Sequence, residues 1–291
     1  MLREFAPAKI NLFLHAGARR ADGYHELESL VVFAEVGDEL TFQESDRLQL
    51  AIDGPFARDL MNDETNLVIR AANVFAKFAR IEPRVTIALT KNLPVASGIG
   101  GGSSDAAATM RGLCRLFPGQ LGLTQLWDIG NEIGSDVPVS ILPGCWWMTG
   151  RGERFASMEQ VGTMDAVLVN AGAPVSTADV FGSLRERRGV GRMRKPTASG
   201  AVADFADYLK TAGNDLEAPA RQLCPVIDRE LDELAENGAL IARMSGSGAT
   251  CFGLFADEVR ARMAADAIAR EHPNWWVVAT KLNRGRKWEL Q

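Results

Sequence analysis

Four glycines in the five positions of Gly98-Ile99-Gly100-Gly101-Gly102 are the feature that most limits what this chain can fold into. A run this rich in glycine weakens regular structure unless the backbone must come close to something. It lies between an alternating apolar stretch, 85–91, and a segment in which Ala107, Met110, Leu113 and Cys114 share one helical face. At such a strand-to-helix junction successive N–H groups can turn toward one point. The helix start adds unpaired donors and the positive end of its dipole. Pro94, Val95, Ala96, Ser97, Gly98, Ile99, Gly100, Gly101, Gly102, Ser103 and Ser104 are therefore expected to cradle phosphate. Ser103 and Ser104 could cap the helix, bind a phosphate oxygen or help hold Mg²⁺, and the sequence leaves all three open. The spelling excludes common alternatives. A Walker A loop needs Lys-Ser/Thr after the glycines, and the dinucleotide fingerprint fails because Ser103 takes its sixth position. The protein-kinase HRD and DFG strings and the hydrolase nucleophile elbow are absent as well.

At 291 residues, 46% hydrophobic and 24% charged, the chain has material for two ordinary globular domains. Its net charge of −5 gives no overall attraction for nucleic acid or an anionic membrane, so neither is expected as a partner. Cys114, Cys145, Cys224 and Cys251 form neither a CxxC pair nor a dense disulfide framework, which fits a reducing cytoplasm. The three histidines show no metal-ligand spacing, so no resident metal is expected and any metal should arrive with a substrate. The opening MLREFAPAKINLFLH lacks a signal-peptide pattern, and no 18-residue apolar run occurs, so a soluble cytoplasmic protein is expected.

Apolar alternation predicts a strand meander over 9–15, 28–36, 39–43 and 47–52, with turns at Ala21-Asp22-Gly23 and Val36-Gly37-Asp38. Helices are expected from Thr65 or Asn66, from Ser103 or Ser104 to 116, and over 124–133. Beyond residue 160 the expected order is strand 165–170, helix 225–237, strands 240–244 and 250–255, helix 257–271 and strand 275–282. That is the β-α-β-β-α-β order of a split βαβ, or ferredoxin-like, unit. The predicted domains are thus 1–160 and 161–291. Between the first strand and helix of the second lies a basic run of Arg185, Arg187, Arg188, Arg192, Arg194 and Lys195. It reads either as a solvated loop or as a lid that brings positive charge to a phosphorylated ligand.

Three further stretches carry candidate side chains. In Pro7-Ala8-Lys9-Ile10-Asn11-Leu12 the alternation sets Lys9 and Asn11 on one strand face and the apolar residues on the other. In Gly134-Ser135-Asp136-Val137-Pro138, Pro138 biases Val137 toward extended backbone and should hold Asp136 on a stiff corner. Met244-Ser245-Gly246-Ser247-Gly248-Ala249-Thr250 is a second glycine-serine loop, either a plain hairpin connection or part of a site.

Stretches 7–12, 94–107 and 244–250 resemble, in order, the three signatures of the GHMP small-molecule kinases, and the resemblance spans 7 to about 255. Arg20-Ala21-Asp22-Gly23-Tyr24-His25-Glu26-Leu27, Gly134 to Pro138 and Asn214-Asp215-Leu216-Glu217 are similar to the branch acting on a cytidine diphosphate-linked methylerythritol in isoprenoid-precursor synthesis. The resemblance implies an α+β fold of two domains with the site between them. The N-terminal one would be like domain 2 of ribosomal protein S5 and the C-terminal one ferredoxin-like. An S5-like fold does not by itself imply RNA binding. The implied reaction moves the γ-phosphoryl of ATP, accompanied by Mg²⁺, to the acceptor 2-hydroxyl, in a monomer or weak homodimer. The same resemblance gives the glycine-rich loop to the ATP phosphates and puts Asn66 and Lys91 near the adenine. Asp136 would face the acceptor hydroxyl as base or orienter, and Lys9 would offset the charge that builds beside it. Asn11 would orient the substrate, Tyr24 and His25 would meet the cytosine, and Phe181 would stack on it. Ala96-Ser97 and Ile99 depart from the usual glycines and Leu, so the loop tip is expected to sit slightly differently.

Overall fold

The computed structural model describes residues 1–58, 60–196 and 201–284. Its first half is organised by two long antiparallel strands, β1 (Leu2–Arg19) and β2 (His25–Glu44), joined by the expected Ala21-Asp22-Gly23 turn. The expected second turn does not exist, because Val36-Gly37-Asp38 runs straight through β2. Gly37 serves close approach instead: a Cβ there would lie 2.3 Å from the Ala6 carbonyl oxygen, beside the register shift between Pro7 and Lys9. Four short strands are thus replaced by two long ones plus β3 (Gln49–Asp53).

Asn66 begins α1 (Leu67–Ala79), its side chain accepting the Val68 N–H, so the open choice of cap falls to Asn66. Next, β4 (Val85–Thr90) pairs with both β2 and β3. Helix α2 (Gly101–Leu116) starts two residues before the earliest expected position, because Gly100, at φ +63°, stands as its N-cap. Ala107, Met110, Leu113 and Cys114 are buried as the helical spacing requires. Gly112 lets the Phe42 ring lie against the helix backbone, where a Cβ would fall 2.3 Å from the ring. Helix α3 (Leu123–Ile133) ends at Gly134, and the short α4 (Val137–Ile141) follows. Val137 is helical rather than extended, since Pro138 sits in the first turn, where the missing N–H costs nothing. Strands β5 (Trp146–Gly150) and β6 (Arg154–Ser157) complete this half against β2.

The second half runs β7 (Met164–Asn170), α5 (Thr177–Gly182), α6 (Val202–Lys210), α7 (Glu217–Leu223), α8 (Val226–Glu236), β8 (Ile241–Met244), β9 (Cys251–Phe255), α9 (Glu258–Glu271) and β10 (Trp276–Leu282). Leaving out α5 to α7, the order is β-α-β-β-α-β. The strands lie β10-β7-β9-β8, all antiparallel, as in a ferredoxin-like sheet. The predicted end at residue 291 falls outside the described residues. One pair, Leu282 with Ala34, joins this sheet to β2, and Leu14 exchanges backbone hydrogen bonds with Gly213 and Asp215. Apolar faces of β1 and β2 share one buried cluster with β7, β9 and α6, which fixes the two halves against each other. No helix among the described residues is long and apolar enough to cross a membrane.

Candidate active site

A cavity of about 680 Å³ opens where the glycine-rich loop, β1, the 134–138 corner and the 244–250 loop meet. Backbone conformation explains the loop's composition. Gly98 takes φ +76°, and a Cβ on it would fall 2.6 Å from the carbonyl oxygens of both Ser245 and Gly248. The second glycine-serine loop is therefore packed on the first and is more than a hairpin connection. Lys9 N–H donates to the Ile99 carbonyl at 2.8 Å, Thr250 N–H to that of Ser97 at 3.0 Å, and Ser245 Oγ accepts from Asn11 N–H at 3.1 Å. These bonds tie β1 and both loops into one wall.

Pro94 to Gly98, Gly100 to Gly102 and Ser103 border the cavity. Two predicted members of the cradle do not present their side chains there. Ile99 is wholly buried in the core, and the Ser104 hydroxyl donates to the Pro7 carbonyl at 2.6 Å. Of the two serines, only Ser103 offers its side chain to a ligand.

Lys9 and Asn11 reach the cavity from one face of β1, while Ala8, Ile10 and Leu12 are buried on the other. Lys9 Nζ lies 2.9 Å from Asp136 Oδ1. Asp136 holds the N-cap position of α4, but its side chain makes no capping bond, so the carboxylate is given to Lys9 and the cavity. Asn11 donates to Ser29 Oγ at 2.8 Å, and its buried Oδ1 has no partner among the described residues. An acceptor left over in this way is costly unless a ligand donor meets it.

The residues expected near the adenine also border the cavity, with their polar groups largely committed. Asn66 caps α1 through Oδ1 and donates from Nδ2 to the Met61 carbonyl. Lys91 Nζ is held between Asp38 Oδ2 at 2.5 Å and Asp105 Oδ2 at 2.6 Å, all three being buried. Its ammonium is thus a strut rather than a free nucleotide contact. Burial disfavours that charge, but Asp105 and Asp38 outweigh it and raise the Lys91 pKa. Burial lifts Asp105 to about 8, helped by Asp38 and opposed by Lys91. Asp38 Oδ1 also accepts from the N–H groups of Asn92 and Leu93, pinning the chain where β4 passes into the glycine-rich loop.

At the other end Phe181 borders the cavity and stacks on His25, with ring centroids 5.5 Å apart and planes 24° apart. His25 Nδ1 lies 3.1 Å from the Gly17 carbonyl, which makes Nδ1 the donor. Tyr24 is half exposed and lies beneath Arg151, whose guanidinium carbon is 5.5 Å from its ring centre. Tyr24 and His25 therefore stand at the rim rather than on the wall. The basic run keeps its cationic side chains exposed, and none of them borders the cavity. Backbone bonds from Arg188 to Asp215 and from Gly191 to Glu28 fasten it to the body. Arg151, Asp38 and Asp105 escaped the sequence reading. Only Arg151 carried a local signal, a cation flanked by Gly150 and Gly152.

Residues 66–144 match the description "GHMP kinases N terminal domain" and residues 193–274 match "GHMP kinases C terminal". A 4-diphosphocytidyl-2-C-methyl-D-erythritol kinase of Parvibaculum lavamentivorans is 46% identical over 277 residues, covering 94% of this chain and 96% of that one. The chain belongs to the GHMP kinase family. A kinase of the same description from Bradyrhizobium diazoefficiens is 42% identical, covering 97% of this chain and 98% of its own. Among solved structures, a 4-(cytidine 5'-diphospho)-2C-methyl-D-erythritol kinase superposes with a TM-score of 0.77 at 31% identity, covering 98% and 100% of the two chains. A homoserine kinase from Cytophaga hutchinsonii gives 0.73 at 18% identity over 96% of this chain and 93% of its own, a likeness of GHMP fold alone.

Proposed function

We propose that this GHMP kinase transfers the γ-phosphoryl group of ATP to the 2-hydroxyl of 4-diphosphocytidyl-2-C-methyl-D-erythritol. The observation that carries the reading is the Lys9–Asp136 pair, set in one cavity between the glycine-rich loop and the His25–Phe181 stack. A phosphate cradle, a base and an aromatic face thus occur in the order such an acceptor requires. Relatives bearing this activity in their names, at 42–46% identity over nearly the whole chain, support the same reading. The two domains divide between 160 and 161, in the connection from β6 to β7.

The glycines suit a triphosphate because Gly100 and Gly101 leave the α2 N-terminus open beside Lys9 and Lys91, where a Cβ would crowd both side chains at 3.1–3.2 Å. Unpaired N–H groups of that helix start hold the β- and γ-phosphates in this scheme, with Ser103 beside them. Mg²⁺ accompanying the nucleotide supplies charge neutralisation at the phosphates, and Ser103 is the loop hydroxyl free to help hold it.

Asn11 Oδ1 accepts a hydrogen bond from the acceptor and fixes its methylerythritol end. Asp136 orients the 2-hydroxyl and takes its proton as that oxygen bonds to the γ-phosphorus and the bond to the ADP oxygen breaks. The transition state is loose, so most of the catalysis is positioning and charge stabilisation. Lys9 supplies the positive charge: it holds Asp136 in place and faces the oxygens on which charge gathers. At the far end the cytosine enters between Phe181 and Tyr24, and His25 Nε2, left as the acceptor, meets its exocyclic amine. An ADP-release assay with the cytidyl substrate, mevalonate and homoserine tests the reading. Turnover is expected with the first alone, and preference for either of the others refutes the cytidine pocket.

A further inference from the structure

Three side-chain cations border the cavity among the described residues, and two are neutralised by carboxylates. Lys9 is paired with Asp136, and Lys91 with Asp38 and Asp105. Among the described residues Arg151 forms no such pair, and its guanidinium contact is the face of Tyr24. Two arginines near it in the fold are not so placed: Arg20, four residues before Tyr24, and Arg154, three after Arg151, both bind Glu26. Glu153, the nearest carboxylate in sequence, accepts the Arg151 backbone N–H through Oε2 and approaches Arg154 through Oε1. A cation kept on a concave wall without a counter-charge is a site for an anionic ligand group.

The turn that carries Arg151 fixes where that group must lie. Gly150 pairs with Leu27, so the turn borders the segment that bears Tyr24 and His25. On the other side a Cβ on Gly152 would lie 3.2 Å from the Ser135 carbonyl, so the turn is also seated against the corner that holds Asp136. Arg151 therefore stands between the aromatic end of the cavity and the base. In an acceptor whose cytidine lies at one end and whose hydroxyl lies at the other, the linking diphosphate crosses that interval.

We infer that Arg151 is a specificity residue that binds the diphosphate bridge of the acceptor. This rests on the activity proposed above. The planar guanidinium can hold two phosphate oxygens at once while its face stays on Tyr24, so one side chain orders both the bridge and the ring at the cytosine end.

Calorimetric titration with cytidine diphosphate and with cytidine tests it in the wild type, Arg151→Gln and Arg151→Lys. The wild type should prefer the diphosphate. Arg151→Gln should reduce that preference about 10-fold or more while cytidine affinity changes little, the scale of losing a charge-assisted hydrogen bond. Arg151→Lys, which keeps the charge and loses the fork, should fall between. In turnover, Arg151→Gln should raise the KM for the cytidyl acceptor by more than it lowers kcat, without raising the KM for ATP. An undiminished preference in Arg151→Gln overturns the inference. Equal weakening of both ligands makes Arg151 a mere support for Tyr24, and a rise confined to the ATP KM assigns it to the donor. Each of those results also overturns it. Failure of the wild type to phosphorylate the cytidyl acceptor counts against the proposed activity instead, since the titrations read binding without turnover.

Discussion

Lys9 and Asp136 form an ion pair of unequal burial, the lysine side chain 4% exposed and the aspartate 34%. The ammonium is thus fixed in the wall while the carboxylate faces both its partner and the open cavity. A base needs that arrangement, since it must be held in place and still be reachable by substrate.

Asp136→Asn keeps the shape of the corner and removes the proton acceptor. Its kcat is expected to fall about 10²- to 10⁴-fold, with the acceptor KM within a few-fold of wild type. Steady-state kinetics against both substrates measure this. A variant with normal kcat would remove Asp136 from the chemistry.

Phe181→Ala should act on binding instead. Removing the ring that stacks on His25 takes away one face of the cytosine slot, and such pairs contribute about 0.5–1.5 kcal/mol beyond the area they bury. The acceptor KM should rise about 3- to 10-fold or more, with ATP KM unaltered. An unchanged acceptor KM would place the base elsewhere.

Lys91→Met leaves Asp38 and Asp105 facing each other in a dry interior. Loss of about 3–5 kcal/mol of stability is expected, the usual cost of removing one partner from a buried ion pair. Adding Asp105→Asn to Lys91→Met should restore part of it, because an amide beside Asp38 is neutral without having to take up a proton. Thermal melting of the single and double variants decides the matter. A single variant that melts like wild type would show that the three groups are not a structural unit.

These three groups also show where reading the chain had to stop. Lys91 and Asp38 are 53 residues apart, and nothing local to either announces the other. Gly37 looks like a turn former in sequence, yet it is needed because the Ala6 carbonyl lies where a side chain would be. The stack of His25 on Phe181 joins β2 to α5 across the domain junction, again without a local sign. What could be read was local: the glycine run at a strand-to-helix junction, the alternation that puts Lys9 and Asn11 on one side of β1, and the periods of β7, α8, β8, β9, α9 and β10, whereas α5, α6 and α7 lie in a polar, basic stretch that showed no helical period. Capping was legible only in part: Asn66, one of two candidates, takes the start of α1, while Gly100 rather than Ser103 or Ser104 stands at that of α2.

Glu230, which does not border the cavity, supplies a pH test of the fold. Burial lifts its carboxyl to about 7, against the lowering effect of the Ala171 N–H that it accepts at 2.6 Å. Because the folded value lies above the ordinary 4.5, folding favours the protonated group. Its contribution is fully present below pH 4.5 and is lost as pH rises through about 7, a change on the order of 3 kcal/mol. Glu230→Gln keeps an acceptor for Ala171 and should flatten that part of the stability–pH curve in denaturant titrations from pH 5 to 8. An unchanged slope would mean that Glu230 does not titrate in this range.

The central claim is that one cavity joins ATP to the hydroxyl of a cytidine diphosphate-linked alcohol. Phosphorus NMR of the wild-type protein with ATP, Mg²⁺ and 4-diphosphocytidyl-2-C-methyl-D-erythritol tests it most directly. A new phosphomonoester signal, with the diphosphate resonances of the acceptor intact and ADP formed in equal amount, is the predicted result. ATP consumption without that monoester, or no reaction with this acceptor, would contradict the account.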